Sequence, residues 1–157
     1  MDSSIQTLRL PLIRRNDRPS FELNRVIFLF DTGAHIPVWC SGEEVFRKAY
    51  PDSTKTGYVS RLSGFGKGYT EAEVFVIPRF SLENSGVKYE IINLYVAVTD
   101  YDSIKFDFIL SSTMFSKADY MIANSEGVIK IQFANSNYIC TPMSNSKTLN
   151  KITVWTQ

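Results

Sequence analysis

A mostly β fold, with one or two short helices, follows from three observations on the sequence. Short runs rich in Val, Ile, Phe and Tyr recur along the chain, bounded by clusters of Gly, Pro, Asn, Asp and Ser, the punctuation of strands and tight turns. Residues 128–133 alternate between Val128, Lys130 and Gln132 on one face and Ile129, Ile131 and Phe133 on the other, the period-2 pattern of a half-buried strand. A clear helical signature occurs at 41–50. With 157 residues, 44% hydrophobic and 13% aromatic, the chain carries enough apolar material for one core. No internal repeat divides it, so 1–157 reads as a single domain.

In chain order, residues 5–13 are extended, with Pro11 acceptable on an edge strand. Residues 14–20, containing Asn16, Asp17 and Pro19, read as a turn before a central strand that starts at about residue 23. Ile36 to Cys40 is apolar again. Ser41 followed by Glu44 matches a helix capping box, and Val45, Phe46 and Ala49 fall on one face of the helix that Pro51 stops. A polar turn at 52–57 leads to strands at 58–62 and 69–78, joined by a tip with Gly64, Gly66 and Gly68. A further strand covers 89–98 and ends in the acidic loop 99–102. The run 106–110 is broken only by Asp107, and Ser111 or Ser112 can cap a short helix through Lys117. Residues 120–123 and 128–133 form a hairpin, and the Asn/Ser-rich tail keeps two short apolar pieces, 138–140 and 152–155.

The charge balance excludes several function classes. The net charge is +1 and the longest basic run in the first twenty residues is Arg14-Arg15, so neither nucleic acid nor an anionic membrane is an expected partner. The N-terminal residues lack the apolar core of a secretory signal, and no apolar stretch is long enough to span a bilayer. A cytoplasmic location is the expectation. Cys40 and Cys140 are the two cysteines, read as buried free thiols in a reducing compartment rather than as a disulfide.

The chemistry is concentrated at 26–38. Val26 to Phe30 is uninterrupted large apolar residue, a strand buried on both faces, and it delivers Asp31 into a Thr32-Gly33 turn. Burying a carboxylate costs several kcal/mol unless it is compensated. Thr32 supplies a hydroxyl, Gly33 lets backbone N–H groups turn toward the carboxylate, and Ala34 leaves space. Asp-Thr-Gly alone is also an ordinary turn sequence; its apolar lead-in and the following Ile36, Val38 and Trp39 make it more specific.

Asp31-Thr32-Gly33-Ala34 in this setting resembles the active-site loop of the retropepsin-like (retroviral-type) aspartic proteases. Two further segments extend the resemblance. Gly64, Phe65, Gly66, Lys67 and Gly68 stand where the family carries its glycine-rich flap, and 108–115 stands where it has an apolar pair, a glycine and a short helix. Ser111 occupies that glycine position, a departure from the pattern. The resemblance covers about 20–133, with 41–57 an insertion relative to compact viral enzymes and the terminal segments assigned to a dimer interface. It implies a closed, barrel-like acid-protease fold. It also implies catalysis by Asp31, Thr32 and Gly33, with substrate contacts from Ala34, His35, Ile36, Gly64, Phe65, Gly66 and Ile109.

An aspartic protease needs two carboxylates about 3 Å apart sharing one proton. The sequence holds one Asp-Thr-Gly, since Asp52 and Asp102 lack both the glycine and the apolar strand. The second carboxylate is therefore expected from another copy across a two-fold axis. A polypeptide substrate, a homodimer and no metal or organic cofactor complete the expectation. His35 is the sole histidine, which excludes a multi-histidine metal site, and it reads as a subsite or surface residue. A phosphate loop is excluded at 64–68, where Arg61 and Gly68 replace the required glycine and hydroxyl residue. Phe28, Phe30, Trp39, Phe75, Phe106 and Phe108 read as core. Two other readings stand beside the enzyme: a non-catalytic dimerisation or peptide-binding module of the same fold, and an unrelated small β-barrel.

Overall fold

The computed structural model describes residues 6–15, 18–31, 34–63, 68–101, 106–115, 120–123, 127–133, 139–140 and 154–155. Among them the fold is mostly β. A three-stranded antiparallel sheet joins β1 (Gln6–Pro11), β11 (Val128–Phe133) and β10 (Tyr120–Ala123). The second, larger sheet contains β2 (Ile13–Arg15), β3 (Arg18–Leu23), β4 (Val26–Asp31), β5 (Val38–Trp39), β6 (Thr54–Leu62), β7 (Thr70–Asn84), β8 (Val87–Val98) and β9 (Phe108–Ser111). Two short pieces, β12 (Ile139–Cys140) and β13 (Val154–Trp155), add to it in parallel on β8 and β6. Its order is β13-β6-β7-β8-β5-β9-β4-β3-β2. This path does not close on itself among the described residues.

Several boundaries differ from expectation, each for a local reason. The polar segment read as a turn at 14–20 is mostly strand: β2 and β3 pair from Ile13↔Ser20 to Arg15↔Arg18, and the hydroxyl of buried Ser20 donates to the carbonyl of Ile13 at 2.8 Å. The central strand begins later than residue 23, because Asn24 and Arg25 both take left-handed φ, 51° and 67°, and close a two-residue hairpin at Leu23↔Val26. β6 begins at Thr54 rather than 58, with a register shift between Lys55 and Val59 around Gly57 at φ 87°, a bulge only glycine enters without strain. β7 does not stop at Pro78 but continues to Asn84. The ladder pairs Ile77↔Leu94 and Arg79↔Ile92, leaving Pro78, which has no N–H, opposite Asn93 at φ 57°. The ladder keeps its register on both sides of this pair, so the long β7–β8 hairpin continues past it.

The helix α1 (Glu43–Ala49) forms where expected, but not with the expected cap. Its N-cap is Gly42, without a side-chain bond. The Ser41 hydroxyl instead donates to Asp107 Oδ1 at 2.6 Å, a carboxylate being a stronger acceptor than a hydroxyl is a cap. Glu43 and Glu44 in the first turn, with Arg47 and Lys48 in the last, favour the helix dipole. Only Phe46 of the helix is buried; Val45 is 48% exposed and Ala49 is exposed. The helix rests on the sheet through Phe46 and Tyr50, whose rings meet Trp39 at 5.5 and 6.0 Å. After β9 the predicted helix is a single 3-10 turn, Ser112–Phe115.

Two apolar clusters flank the β4–β9–β5 layer. Phe28, Phe30, Phe108, Leu110 and Trp39 face the larger one, together with Phe80, Leu82, Tyr89, Ile91, Leu8, Leu10, Ile129 and Ile131. Leu29, Val38, Cys40 and Ile109 face the smaller one, with Ala34, Ile36, Leu62, Ala72, Val74, Ala97 and Phe106. The layer is thus buried on both faces, and the six aromatics assigned to the core are all buried.

The β3–β4 turn gives a direct test. An Asn-Gly pair suits this turn better than Asn24-Arg25, since a non-glycine residue in the left-handed region costs about 1–2 kcal/mol. Arg25→Gly is expected to leave stability unchanged or raise it by up to about 1 kcal/mol, after the entropy cost of glycine, read as the denaturant midpoint. A loss above about 1 kcal/mol would mean that Arg25 contributes packing that outweighs its backbone strain.

Candidate active site

Strands β4 and β5 are consecutive in sequence but not neighbours in the sheet: β9 lies between them. β9 runs parallel to β4, with Phe28↔Phe108, Leu29↔Ile109, Phe30↔Leu110 and Asp31↔Ser111, and antiparallel to β5, with Val38↔Ile109 and Trp39↔Phe108. β5 is held on its other side by β8, through Val38↔Ala97 and Trp39↔Val98. The segment that leaves Asp31 therefore crosses the end of β9 before returning as β5, a span of about two strand spacings, or about 10 Å.

Asp107, just before β9, ties this arrangement together. Its backbone N–H donates to the Ile27 carbonyl at 2.9 Å, and its own carbonyl accepts from Cys40 N at 2.8 Å. Its carboxylate accepts from Ile27 N at 2.8 Å and from the Ser41 hydroxyl at 2.6 Å. One residue thereby fastens the start of β4 and the exit of β5 to the entry of β9. In the sequence it is only the polar interruption of an apolar run.

Asp31 sits at the C-terminal end of β4, in register with Ser111 of β9. Thr32 and Gly33 lie outside the described residues, as do Gly64, Phe65 and Gly66. Ala34, Ile36 and Ile109 are buried to 1% exposure or less and pack together in the smaller core cluster. As folded they form the floor beneath the loop and present no open surface. His35 is exposed, and its carbonyl accepts a hydrogen bond from Thr113 Oγ1 at 3.3 Å. The structure thus brings Asp31, Ala34, His35, Ile36 and Ile109 together around the end of β9.

Ser111, in the place of the pattern's glycine, is accommodated. It is 1% exposed, and its hydroxyl lies 2.8 Å from Thr113 Oγ1, so the buried polar atom has a partner. Thr113 was not singled out from the sequence; a second hydroxyl two residues after Ser111 is the signal that marks it. Cys40, at the exit of β5 beside Asp107, is a buried free thiol. Burial first, and the nearby Asp107 charge second, push its pKa up to about 12.

A groove of about 510 Å³ lies at the other end of β4, lined by Leu23, Val26, Tyr50, Leu82 and Asn84 among others. It contains none of the residues that the sequence assigns to catalysis or substrate contact. No described helix is long and apolar enough to cross a membrane.

No protein-family model matches the chain, and no curated protein sequence matches it. Among solved structures, it is similar to the crystal structure of a retropepsin-like aspartic protease from Rickettsia conorii. The TM-score is 0.52 at 13% identity, over 82% of this chain and 92% of that one. The likeness is one of fold.

Two outcomes are expected from this geometry. Asp107→Ala removes the acceptor of two hydrogen bonds to a charged group and is expected to cost about 2–4 kcal/mol of unfolding free energy; Asp107→Asn, which keeps one acceptor oxygen, should cost about half. Equal stability of Asp107→Ala and the parent in denaturant titration would refute the staple. Cys40 should resist alkylation in the native protein at pH 8, because the reactive thiolate is scarce and buried. The sign for stability follows: the unfolded thiol loses its proton near the ordinary value of 9.0 and the folded one near 12, so this group's contribution is full below pH 9 and is lost between pH 9 and 12. Peptide mapping after iodoacetamide treatment reads the first point, and alkaline denaturation of wild type against Cys40→Ala reads the second.

Proposed function

We propose that the chain is an aspartic endopeptidase that works as a homodimer, with one Asp31 carboxylate contributed by each copy. The observation that carries this reading is the register Asp31↔Ser111 at the end of the β4–β9 pair, in a fold similar to that of a retropepsin-like aspartic protease. It gives the motif Asp31-Thr32-Gly33 a rigid strand to stand on and a loop held apart by an intervening strand.

In the proposed reaction, the paired carboxylates hold one proton between them, because two like charges that close do not both ionise. The ionised member takes a proton from a water as it attacks the peptide carbonyl. The protonated member hydrogen-bonds to that carbonyl oxygen and then helps protonate the leaving amine. Thr32 braces the pair across the two-fold axis, and Gly33 and the backbone after it hold the substrate. The 64–68 hairpin closes over the cleft with Phe65 against the substrate, an extended polypeptide gripped as an added strand. The whole of 1–157 acts as one such domain, with its terminal segments at the dimer interface. A free thiol at Cys40 accords with a reducing compartment such as the cytoplasm.

The test is hydrolysis of a peptide library by wild type and Asp31→Asn, measured against pH with sedimentation in parallel. Wild type should cleave best on the acid side of neutrality and lose activity as the shared proton leaves. Its specific activity should fall on dilution below the dimer dissociation constant. Asp31→Asn should be inert, since an amide cannot take the proton of the water, while remaining dimeric. Equal cleavage by Asp31→Asn, or full activity from a strictly monomeric species, would overturn the reading.

A further inference from the structure

We propose that Ser111 and Thr113 are positioning residues that brace the loop leaving Asp31 at its far end, through a directed chain of hydroxyls. The proposal deepens the proteolytic reading and rests on it for its effect on turnover, but the brace itself is a property of the fold.

Thr113 Oγ1 donates to the His35 carbonyl at 3.3 Å. A hydroxyl has one proton, so in the 2.8 Å contact between Ser111 Oγ and Thr113 Oγ1 the donor is Ser111. The chain therefore runs Ser111 Oγ–H to Thr113 Oγ1–H to the oxygen of His35. Each donor polarises the next, which strengthens both bonds. Ser111 is 1% exposed, so this proton has little water to turn to.

The position of the chain gives it a purpose. The backbone of Ser111 is the register partner of Asp31, at the near end of the loop. Through its side chain and Thr113, the same residue reaches His35, at the far end. Immediately after His35 the chain is fixed again, by burial of Ile36 and by the bond from Ala97 N to the Pro37 carbonyl at 3.0 Å. One segment, 111–113, thus grips both ends of the loop 31–35. A glycine at 111, as in the family pattern, keeps the backbone pairing and loses the hydroxyl chain. The serine is therefore an added brace and not a defect in the motif.

The experiment compares wild type, Ser111→Ala, Ser111→Gly, Thr113→Val and Thr113→Ser by amide hydrogen exchange and by peptide hydrolysis. Exchange at 34–36 should rise about fivefold in Thr113→Val, the effect of one ordinary hydrogen bond, and should also rise in Ser111→Ala and Ser111→Gly. Exchange within β4 and β9 should stay unchanged. Thr113→Ser, which keeps the hydroxyl, should match wild type. In hydrolysis, kcat should fall about tenfold with KM nearly constant, the mark of lost positioning rather than lost binding, and Thr113→Ser should restore it. Unchanged exchange at 34–36 in folded Thr113→Val and Ser111→Ala would overturn the brace, as would Thr113→Ser behaving like Thr113→Val. If wild type cleaves no peptide, the exchange data still decide the brace, and only the proteolytic reading falls.

Discussion

The insertion of β9 between β4 and β5 is the constraint on which the rest of the structure depends. Two strands that follow one another in sequence ordinarily pair, and a hairpin here would fold the Asp31 loop flat against its own strand. With β9 between them the loop must arch over a strand end. Its floor is then supplied by side chains of β9 and by Ala34 and Ile36. Long-range bonds lock the arrangement, since Asp107 and Ile27 are 80 positions apart in the sequence. The cost of closing so long a segment grows only slowly with its length. It is offset by burying Phe28, Leu29, Phe108, Ile109 and Leu110, all at 3% exposure or less.

What was legible in the sequence was whatever local chemistry decides. The alternation at 128–133, the apolar run before Asp31 and the Phe46 helix all appear in place, because period and turn residues specify them without reference to distant partners. What was not legible depended on a partner brought in by the fold. Ser41 reads as a helix cap until Asp107 arrives and accepts its hydrogen bond. Pro78 reads as a strand end until the β8 partner strand carries the ladder past it, with Asn93 opposite at left-handed φ. The polar residues 14–20 read as a turn because their part of the β2–β3 pair is held by the ladder and by Ser20, while the apolar anchor of β3, Phe21, lies just beyond them. At the candidate site the motif singles out Asp31; Ile36 and Ile109 read as substrate contacts, whereas the fold buries both, and Thr113 enters only through its contact with His35.

The double-sided burial of the β4–β9–β5 layer also explains why the polar side chains described within it and at its entry are few and engaged. Ser111 has Thr113, and Asp107 has Ile27 and Ser41. In such a layer an unpaired polar atom costs more than an ordinary hydrogen bond gains, so every polar side chain retained there is also a specification of register. The thiol of Cys40 belongs to the same layer and behaves as an apolar filler, kept protonated by its burial.

The late position of β9 in the chain has a consequence for biosynthesis. Asp31 is made long before Ser111, and at about 5–20 residues per second several seconds separate them on the ribosome. During that interval β4 has β3 to pair with and an apolar opposite edge that nothing yet covers. A fragment ending before β9 would carry the complete Asp-Thr-Gly motif without the strand that pairs with its lead-in. Full-length synthesis is in this sense a checkpoint written into strand order.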